Sequence, residues 1–269
     1  MKIAVLVYGE YREFDNVVDS WKIFNTLNCD FYFSTWATSK QNNKCLGISR
    51  EFDITHQMIL KYYPNAVVDI RNRNDYEELN ECWGTSAVIY SHWKNCVKLL
   101  NDSKKEYDFI LILRPDLYFS FNDGYNETSF EILKKMYKKD ILLLCGDYKK
   151  ENNIFFTTDY FIFGSYNILK KLLIDSSNFG GDIHNELGKY IYDNNIEFIQ
   201  NNIIKVDIVR PNAFYKSNSN IITKRYSFNN KMLAMEPINV ENEFFYDRDY
   251  FHKKQVEWDS TLSKKPLSD

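Results

Sequence analysis

The chain has 269 residues, 44% of them hydrophobic and 26% charged, with a formal net charge of −3. It is long enough to bury a sizeable core, and its acidic balance gives no electrostatic reason to expect nucleic acid or an anionic membrane as a partner. No apolar run approaches the ~20 residues of a membrane span, and five scattered cysteines without a C-x-x-C pair favour a reduced, cytoplasmic protein without zinc.

The first 113 residues alternate between short apolar runs typical of buried strands and apolar stripes at helical spacing. This alternation predicts parallel strands joined by right-handed helical crossovers, a Rossmann-like arrangement. A polar loop is expected at residues 38–44. The predicted strands are residues 2–7, 29–36, 66–70 and 108–113, and the predicted helices are one that starts at Asp15 and two at residues 49–63 and about 85–100.

The second half is less regular, and no internal repeat or linker divides the chain into independent domains. From residue 210 onward, Asn, Ser and Lys interrupt the apolar pattern. The predicted helices here are residues 130–138, 166–174 and 185–192, and the predicted strands are residues 141–145, 160–163 and 203–209.

The fourth predicted strand ends in Arg114-Pro115-Asp116. Pro115 has no amide hydrogen and cannot continue a central ladder, so a cation and a carboxylate follow directly after a buried strand. In open α/β sheets, ligands bind at the carboxyl ends of the strands. The alternative is that such residues are ordinary turn residues. Polar or turn residues also follow the first two strands, namely Gly9 and Arg12, then Thr35 and Trp36.

Several common site motifs are absent from the sequence. No G-x-G-x-x-G follows the first strand, and there is no phosphate-binding G-x-x-x-x-G-K-[ST], no G-x-S-x-G and no H-E-x-x-H. The four histidines are far apart and are interpreted as ordinary surface or helix residues. Dinucleotide-dependent dehydrogenases and serine or zinc hydrolases of these types are therefore disfavoured.

Four segments in order, KIAVLVYGEYR, DFYFSTW, YDFILILRPDLYF and DYFIFGS, resemble the nucleotide-sugar-dependent glycosyltransferases of the GT-A fold, in particular a viral and bacterial group. The resemblance covers about residues 1–200. It implies a Rossmann-like α/β fold with a mostly parallel central sheet and helices on both faces. It also implies one domain at residues 1–215, with a nucleotide-binding half (about 1–120) and an acceptor half (about 121–215), on which residues 216–269 pack as an extension.

The implied activity is transfer of a sugar from a nucleotide-sugar donor to a glycan, lipid-linked or small hydroxyl acceptor. Asp116 stands at the second position of the family's metal-binding D-x-D, whereas Arg114 occupies the first. We expect Asp116 to bind Mn²⁺ or Mg²⁺ together with the nucleotide, and to contribute little to packing. Arg12, Arg114, Arg210 and Lys216 are candidates to stabilise the leaving diphosphate. The expected donor-binding residues are Tyr8, Gly9, Arg12, Trp36, Gly84, Thr85, Arg114 and Asp116.

The segment Gly180-Gly181-Asp182 opens a predicted helix, at the position where many inverting members of the family carry an acidic residue that deprotonates the acceptor. Asp182 fits this position, with Glu186 one turn further on the same face. The alternative is an ordinary N-cap, and a retaining enzyme needs no such base. The expected catalytic residues are therefore Asp182, Glu186 and Arg114.

Two other functions stay open. The arginine in place of the first carboxylate is also compatible with a catalytically inactive module that binds or assembles glycans. A nucleotidyltransferase shares the Rossmann-like half, but it normally has a Gly-rich or Lys-bearing loop after the first strand, where this chain has YGEYR.

Overall fold

The computed structural model describes residues 1–12, 14–43, 48–72, 84–121, 141–144, 149–151, 154–200, 204–210 and 224–227. The strands are β1 (Lys2–Gly9), β2 (Asn28–Trp36), β3 (Thr38–Asn43), β4 (Ile48–Asp53), β5 (Val67–Arg71), β6 (Phe109–Leu113), β7 (Leu117–Phe121), β8 (Ile141–Leu144), β9 (Lys149–Glu151), β10 (Ile154–Phe156), β11 (Phe161–Ser165), β12 (Glu197–Gln200), β13 (Ile204–Arg210) and β14 (Lys224–Ser227). The helices are α1 (Phe14–Val17), α2 (His56–Leu60), α3 (Gly84–Asp102), α4 (Tyr166–Asp175) and α5 (Ile183–Asp193), with 3-10 segments at Val18–Phe24 and Ser176–Asn178.

A seven-stranded sheet forms the centre, in the order β12-β8-β11-β6-β1-β2-β5. Six strands point in one direction, and β11 runs antiparallel between β6 and β8. The predicted mostly parallel sheet is therefore confirmed, and in it β1 lies between β2 and β6. The architecture is mixed α/β and consistent with a Rossmann-like fold.

Two apolar cores cover the two faces of this sheet. Along β1, Val5 and Val7 face a core that also contains the residues of the 3-10 segment and of β7, whereas Leu6 faces the core formed with α3, α4 and α5. The five residues of β6 are all buried, because a central strand is covered on both sides. Helices therefore lie on both faces, as expected.

A second, three-stranded antiparallel sheet contains β7, β13 and β14. Strand β7 begins at Leu117, immediately after Asp116, and was not predicted from the sequence. The indole Nε1 of Trp21 donates a hydrogen bond of 2.7 Å to the buried carbonyl oxygen of Leu117, and Phe119 packs edge-on against Trp21. These contacts fix the turn that separates β6 from β7.

Two sequence predictions are wrong in the region after β2. Residues 38–44 were expected to form a loop and residues 49–63 a helix, but β3 and β4 pair as an antiparallel hairpin, and helix α2 covers only His56–Leu60. Residues 49–53 pair with β3, so the helix begins only after them. The helix predicted at 130–138 lies outside the described residues. Among the helices within the described ranges, none is both long and apolar enough to span a bilayer.

Gly164 offers a test of the packing between the sheet and α4. A Cβ atom there would lie 2.5 Å from Leu142 Cδ2 and 3.4 Å from Leu169 Cγ, and both leucines are fully buried. We expect Gly164→Ala to lower the free energy of unfolding in urea by about 1–3 kcal/mol through overpacking. Gly180→Ala is the control, because its Cβ would enter open space. Equal stability of the two variants would contradict this packing.

Candidate functional site

Three strands bring polar side chains to one level at the carboxyl edge of the parallel strands. Val7 of β1 pairs with Leu113 of β6, and Leu113 pairs with Phe161 of β11. Tyr8 follows Val7, Arg114 follows Leu113, and the segment before β11 precedes Phe161, so all three lie at this edge of the sheet. Because β11 is antiparallel, it begins where β6 ends, and the amide of Arg114 donates to the carbonyl oxygen of Tyr160 at 3.3 Å.

The carboxylate of Asp116 lies between two guanidinium groups. Arg114 donates from Nε to Oδ1 at 3.0 Å and from Nη2 to Oδ2 at 2.5 Å, and Arg12 donates from Nη1 to Oδ2 at 2.8 Å. The Asp116 side chain is only 1% exposed, whereas those of Arg12 and Arg114 are 30% and 17% exposed. We call these three residues the arginine clamp. Asp116 was expected to contribute little to packing, and its burial between two charges contradicts that expectation.

Charge pairing controls the protonation of the clamp. Burial alone would raise the pKa of Asp116, but the charges of Arg114 and Arg12, with their hydrogen bonds, outweigh it and lower the pKa to about 2. Burial would likewise lower the pKa of Arg114, and the charges of Asp116 and Asp159 raise it above its usual value instead. Asp116 and Arg114 are therefore ionised at neutral pH.

The loop after β1 positions Arg12 in an unusual backbone conformation. Arg12 has a φ of 43°, a left-handed value that costs a non-glycine residue roughly 1–2 kcal/mol. Its amide donates to Ser39 Oγ at 3.2 Å, and its Nε donates to Glu10 Oε2 at 3.2 Å. Gly9, with a φ of 101°, begins the turn, and a Cβ there would meet open space.

A second buried carboxylate, Asp159, lies beside the clamp and was not singled out from the sequence. The hydroxyl of Tyr8 donates to this residue, with 2.8 Å to Oδ2 and 3.0 Å to the carbonyl oxygen. Burial and the charge of Asp159 raise the pKa of Tyr8 well above its usual value. His184 Nδ1 is 4.0 Å from Asp159 Oδ1 and 2.7 Å from the carbonyl oxygen of Thr157. The sequence feature that could have identified Asp159 is its position just before an apolar strand.

Asp182 and Glu186 lie at the start of α5. Asp182 is the N-cap: its Oδ1 accepts from the amides of His184 at 3.0 Å and Asn185 at 3.3 Å. Glu186 folds back over Gly181, where an added Cβ would be 2.8 Å from Glu186 Oε1. The Tyr90 hydroxyl donates to the carbonyl oxygen of Gly181 at 3.1 Å. The capping alternative for Asp182 is thus present, and it does not exclude a role as base.

Helix α5 is connected to the clamp through Tyr90. Burial raises the pKa of Tyr90, and the charges of Glu186, Asp182 and Asp159 raise it further. Tyr90 thus interacts with the two carboxylates at the start of α5 and with Asp159. Asp159 in turn interacts with Arg114. Tyr90 and Asp159 together interact electrostatically with both sets of predicted residues, and we call these two residues the polar layer.

The remaining predicted donor residues have different positions. Trp36 ends β2 and is buried, with its ring 4.5 Å from the His92 ring. Gly84 and Thr85 form the first turn of α3, next to Ser86, whose Oγ accepts from the amide of Ile183 at 3.0 Å. Arg210 ends β13, whose residue Ile208 pairs with Leu117. Lys216 lies outside the described residues.

In this arrangement, a metal ion at Asp116 would compete with two guanidinium groups. Both of its oxygens accept hydrogen bonds from guanidinium groups, and an incoming cation would meet two positive charges. Within the described parts of the chain, no three His, Cys, Asp or Glu side chains come together to hold a metal ion. The expectation of Mn²⁺ or Mg²⁺ stays a prediction, and no chemical step below depends on it.

No protein-family model and no curated protein matches this sequence. Among solved structures, the crystal structure of A197 from STIV is similar over 91% of this chain and 98% of that chain, with 10% sequence identity and a TM-score of 0.43. A likeness at this level says nothing about activity, so the proposal below depends on the geometry of the chain itself.

The depressed pKa of Asp116 predicts an acid-sensitive contribution to stability. The folded pKa of about 2 lies below the unfolded value of about 3.9, so this contribution, on the order of 2 kcal/mol, is present above about pH 4 and is lost as the pH falls toward 2. Between about pH 6 and pH 2.5, the free energy of unfolding should therefore fall by roughly 1–2 kcal/mol more in the wild type than in Asp116→Asn. Parallel pH profiles from denaturant titrations would contradict the ion pairing.

Proposed function

We propose that this chain is a nucleotide-sugar-dependent glycosyltransferase of the GT-A type, with the donor diphosphate bound beside Arg12 and Arg114. The observation that carries the proposal is that two guanidinium groups, from segments about a hundred residues apart, meet at the carboxyl edge of adjacent parallel strands. Ligands of open α/β sheets bind at that edge. The first-strand motif and the R-P-D motif of the resemblance thus belong to one site.

Transfer from a sugar nucleotide breaks the bond between the sugar and the diphosphate, and negative charge develops on the departing phosphate oxygen. Fixed N–H donors stabilise such charge most effectively when they are already oriented before the reaction. Guanidinium groups bind phosphate in a bidentate manner and remain charged at any physiological pH. Arg12 and Arg114 are held in place by Asp116 and Glu10, so the reaction requires little reorganisation of these side chains.

The acceptor hydroxyl must lose its proton as it attacks the sugar carbon. Asp182 and Glu186, at the start of α5, are the proposed proton acceptors, with the hydroxyl oriented over the polar layer that leads through Tyr90 to Asp159. Asp159 and Tyr8 would then lie at the bottom of the site, between the donor and the acceptor. Their hydrogen bond restrains both side chains.

An inactive glycan-binding module is the second candidate, and one observation favours it. The carboxylate at the D-x-D position, Asp116, accepts hydrogen bonds from two arginines. A site that no longer binds a catalytic metal would contain the same arrangement. Turnover distinguishes the two functions, because a binding module retains sugar nucleotides or glycans without releasing a nucleoside diphosphate.

Thermal shift with nucleotides tests the donor site. We expect UDP, GDP or their sugar conjugates, at about 100 times the dissociation constant, to stabilise the protein by about 2.7 kcal/mol, which corresponds to several degrees in melting temperature. Nucleoside monophosphates should shift it less. Arg114→Lys should reduce the shift, whereas Lys105→Gln, which removes a charge paired with Asp30 at the opposite edge of the sheet, should not. If no nucleotide shifts the melting temperature, the proposed donor site is wrong.

Isosteric variants separate the capping role of Asp182 from its proposed catalytic role. Asn caps helices about as well as Asp, so Asp182→Asn should keep the melting temperature while lowering the transfer rate by about 100-fold or more, because the amide cannot accept the proton. Glu186→Gln is the paired variant for the second candidate. Full transfer activity in both variants, measured with the donor identified above, would exclude a base at the start of α5.

A further inference from the structure

We infer that the donor diphosphate is bound by the arginine clamp without a divalent cation, and that Asp116 is a positioning residue for the two guanidinium groups rather than a metal ligand. This inference rests on the proposed function and concerns how the same site neutralises the leaving group. It departs from the metal-binding role expected for Asp116.

The hydrogen bonds of Asp116 leave it poorly suited to coordination. Its Oδ1 accepts from Arg114 and its Oδ2 accepts from both Arg114 and Arg12. Coordination to Mn²⁺ or Mg²⁺ would place a further cation beside two guanidinium groups and would weaken or replace hydrogen bonds that hold them. Charged hydrogen bonds of this kind are the strong ones in proteins, so the exchange is unfavourable.

The burial of the three clamp side chains also favours donor binding by the arginines rather than by a metal ion. Asp116 is 1% exposed, while Arg114 and Arg12 are 17% and 30% exposed, so a ligand that approaches from solvent meets the two arginine side chains before it reaches the carboxylate. A guanidinium carries five N–H donors. Within the described part of the chain, hydrogen bonds account for two of these donors on Arg12 and two on Arg114, and the proposal assigns phosphate oxygens to the others.

The charges within the site explain why an ordered pair of arginines is needed. Asp116 and Glu10 balance Arg114 and Arg12, and Asp159 adds a carboxylate that interacts with Arg114, so these side chains carry no excess positive charge before the donor binds. Binding then depends on oriented donors more than on a positive field. Lysine, which is a point charge without the planar fork, should therefore be a poor substitute at either position.

Calorimetric titration of the full chain tests this inference, with UDP, GDP and inorganic pyrophosphate as probes, in EDTA and in Mn²⁺. We expect the dissociation constant of the best probe in EDTA to be within about threefold of its value in Mn²⁺. Arg12→Lys and Arg114→Lys should each raise the value in EDTA at least tenfold, and Lys105→Gln should leave it within twofold. Circular dichroism melts establish that each variant is folded.

Asp116→Asn distinguishes a positioning residue from a metal ligand. If Asp116 positions the arginines, the variant should weaken binding by about tenfold to the same extent with and without Mn²⁺. If Asp116 binds metal, wild-type binding will be much tighter in Mn²⁺ than in EDTA, and the variant will lose only that difference, which would overturn the inference while leaving the proposed function intact. Tighter binding in the variant would also overturn it, since Asp116 would then only repel the anion. Binding of no probe under either condition would contradict the donor site itself.

Discussion

The burial of one carboxylate between two guanidinium groups is the constraint on which the rest of this site depends. An ion in a protein interior is tolerated only when it is paired and hydrogen-bonded, and removing one partner of such a pair typically costs 3–5 kcal/mol. Asp116 satisfies this requirement with one arginine two residues before it and another in the loop after β1. The clamp therefore couples the ends of the two central strands and holds a backbone conformation that Arg12 would otherwise avoid.

The sheet topology supplies the remaining groups. Strand β11 is antiparallel to β6, so the segment before it, rather than the segment after it, reaches the carboxyl edge. That reversal brings Asp159 to Tyr8 and into electrostatic contact with Arg114. Helices α3 and α5 begin at the same edge, and the hydrogen bond from the Ile183 amide to Ser86 joins their first turns. A purely parallel sheet would have delivered a different segment to the site.

Sequence reasoning located the parts of this protein that a simple physical rule governs. Continuous apolar runs such as residues 109–113 are strands because both faces of a central strand are buried, and the charges after such a run must lie at the strand end. This rule fails for the β3–β4 hairpin, whose strands are mostly polar and form through pairing with each other rather than through burial. It also cannot foresee that Asp116 would be enclosed, because ion pairing over a hundred residues leaves no local pattern. Asp159 stands before its apolar strand, whereas Asp116 follows one, and the antiparallel direction that brings Asp159 to the same edge was not readable from the sequence.

The charge state of the clamp decides what a pH profile of the proposed transfer would report. Guanidinium groups remain protonated in folded proteins, and the pKa of Asp116, about 2, keeps its carboxylate ionised above about pH 4. Tyr8 and Tyr90 keep their protons as well, since burial raises both pKa values. The donor side therefore has a constant charge across the neutral range. A change of rate in the neutral range would therefore come from groups other than the clamp, and the proposed bases at the start of α5 are the first candidates.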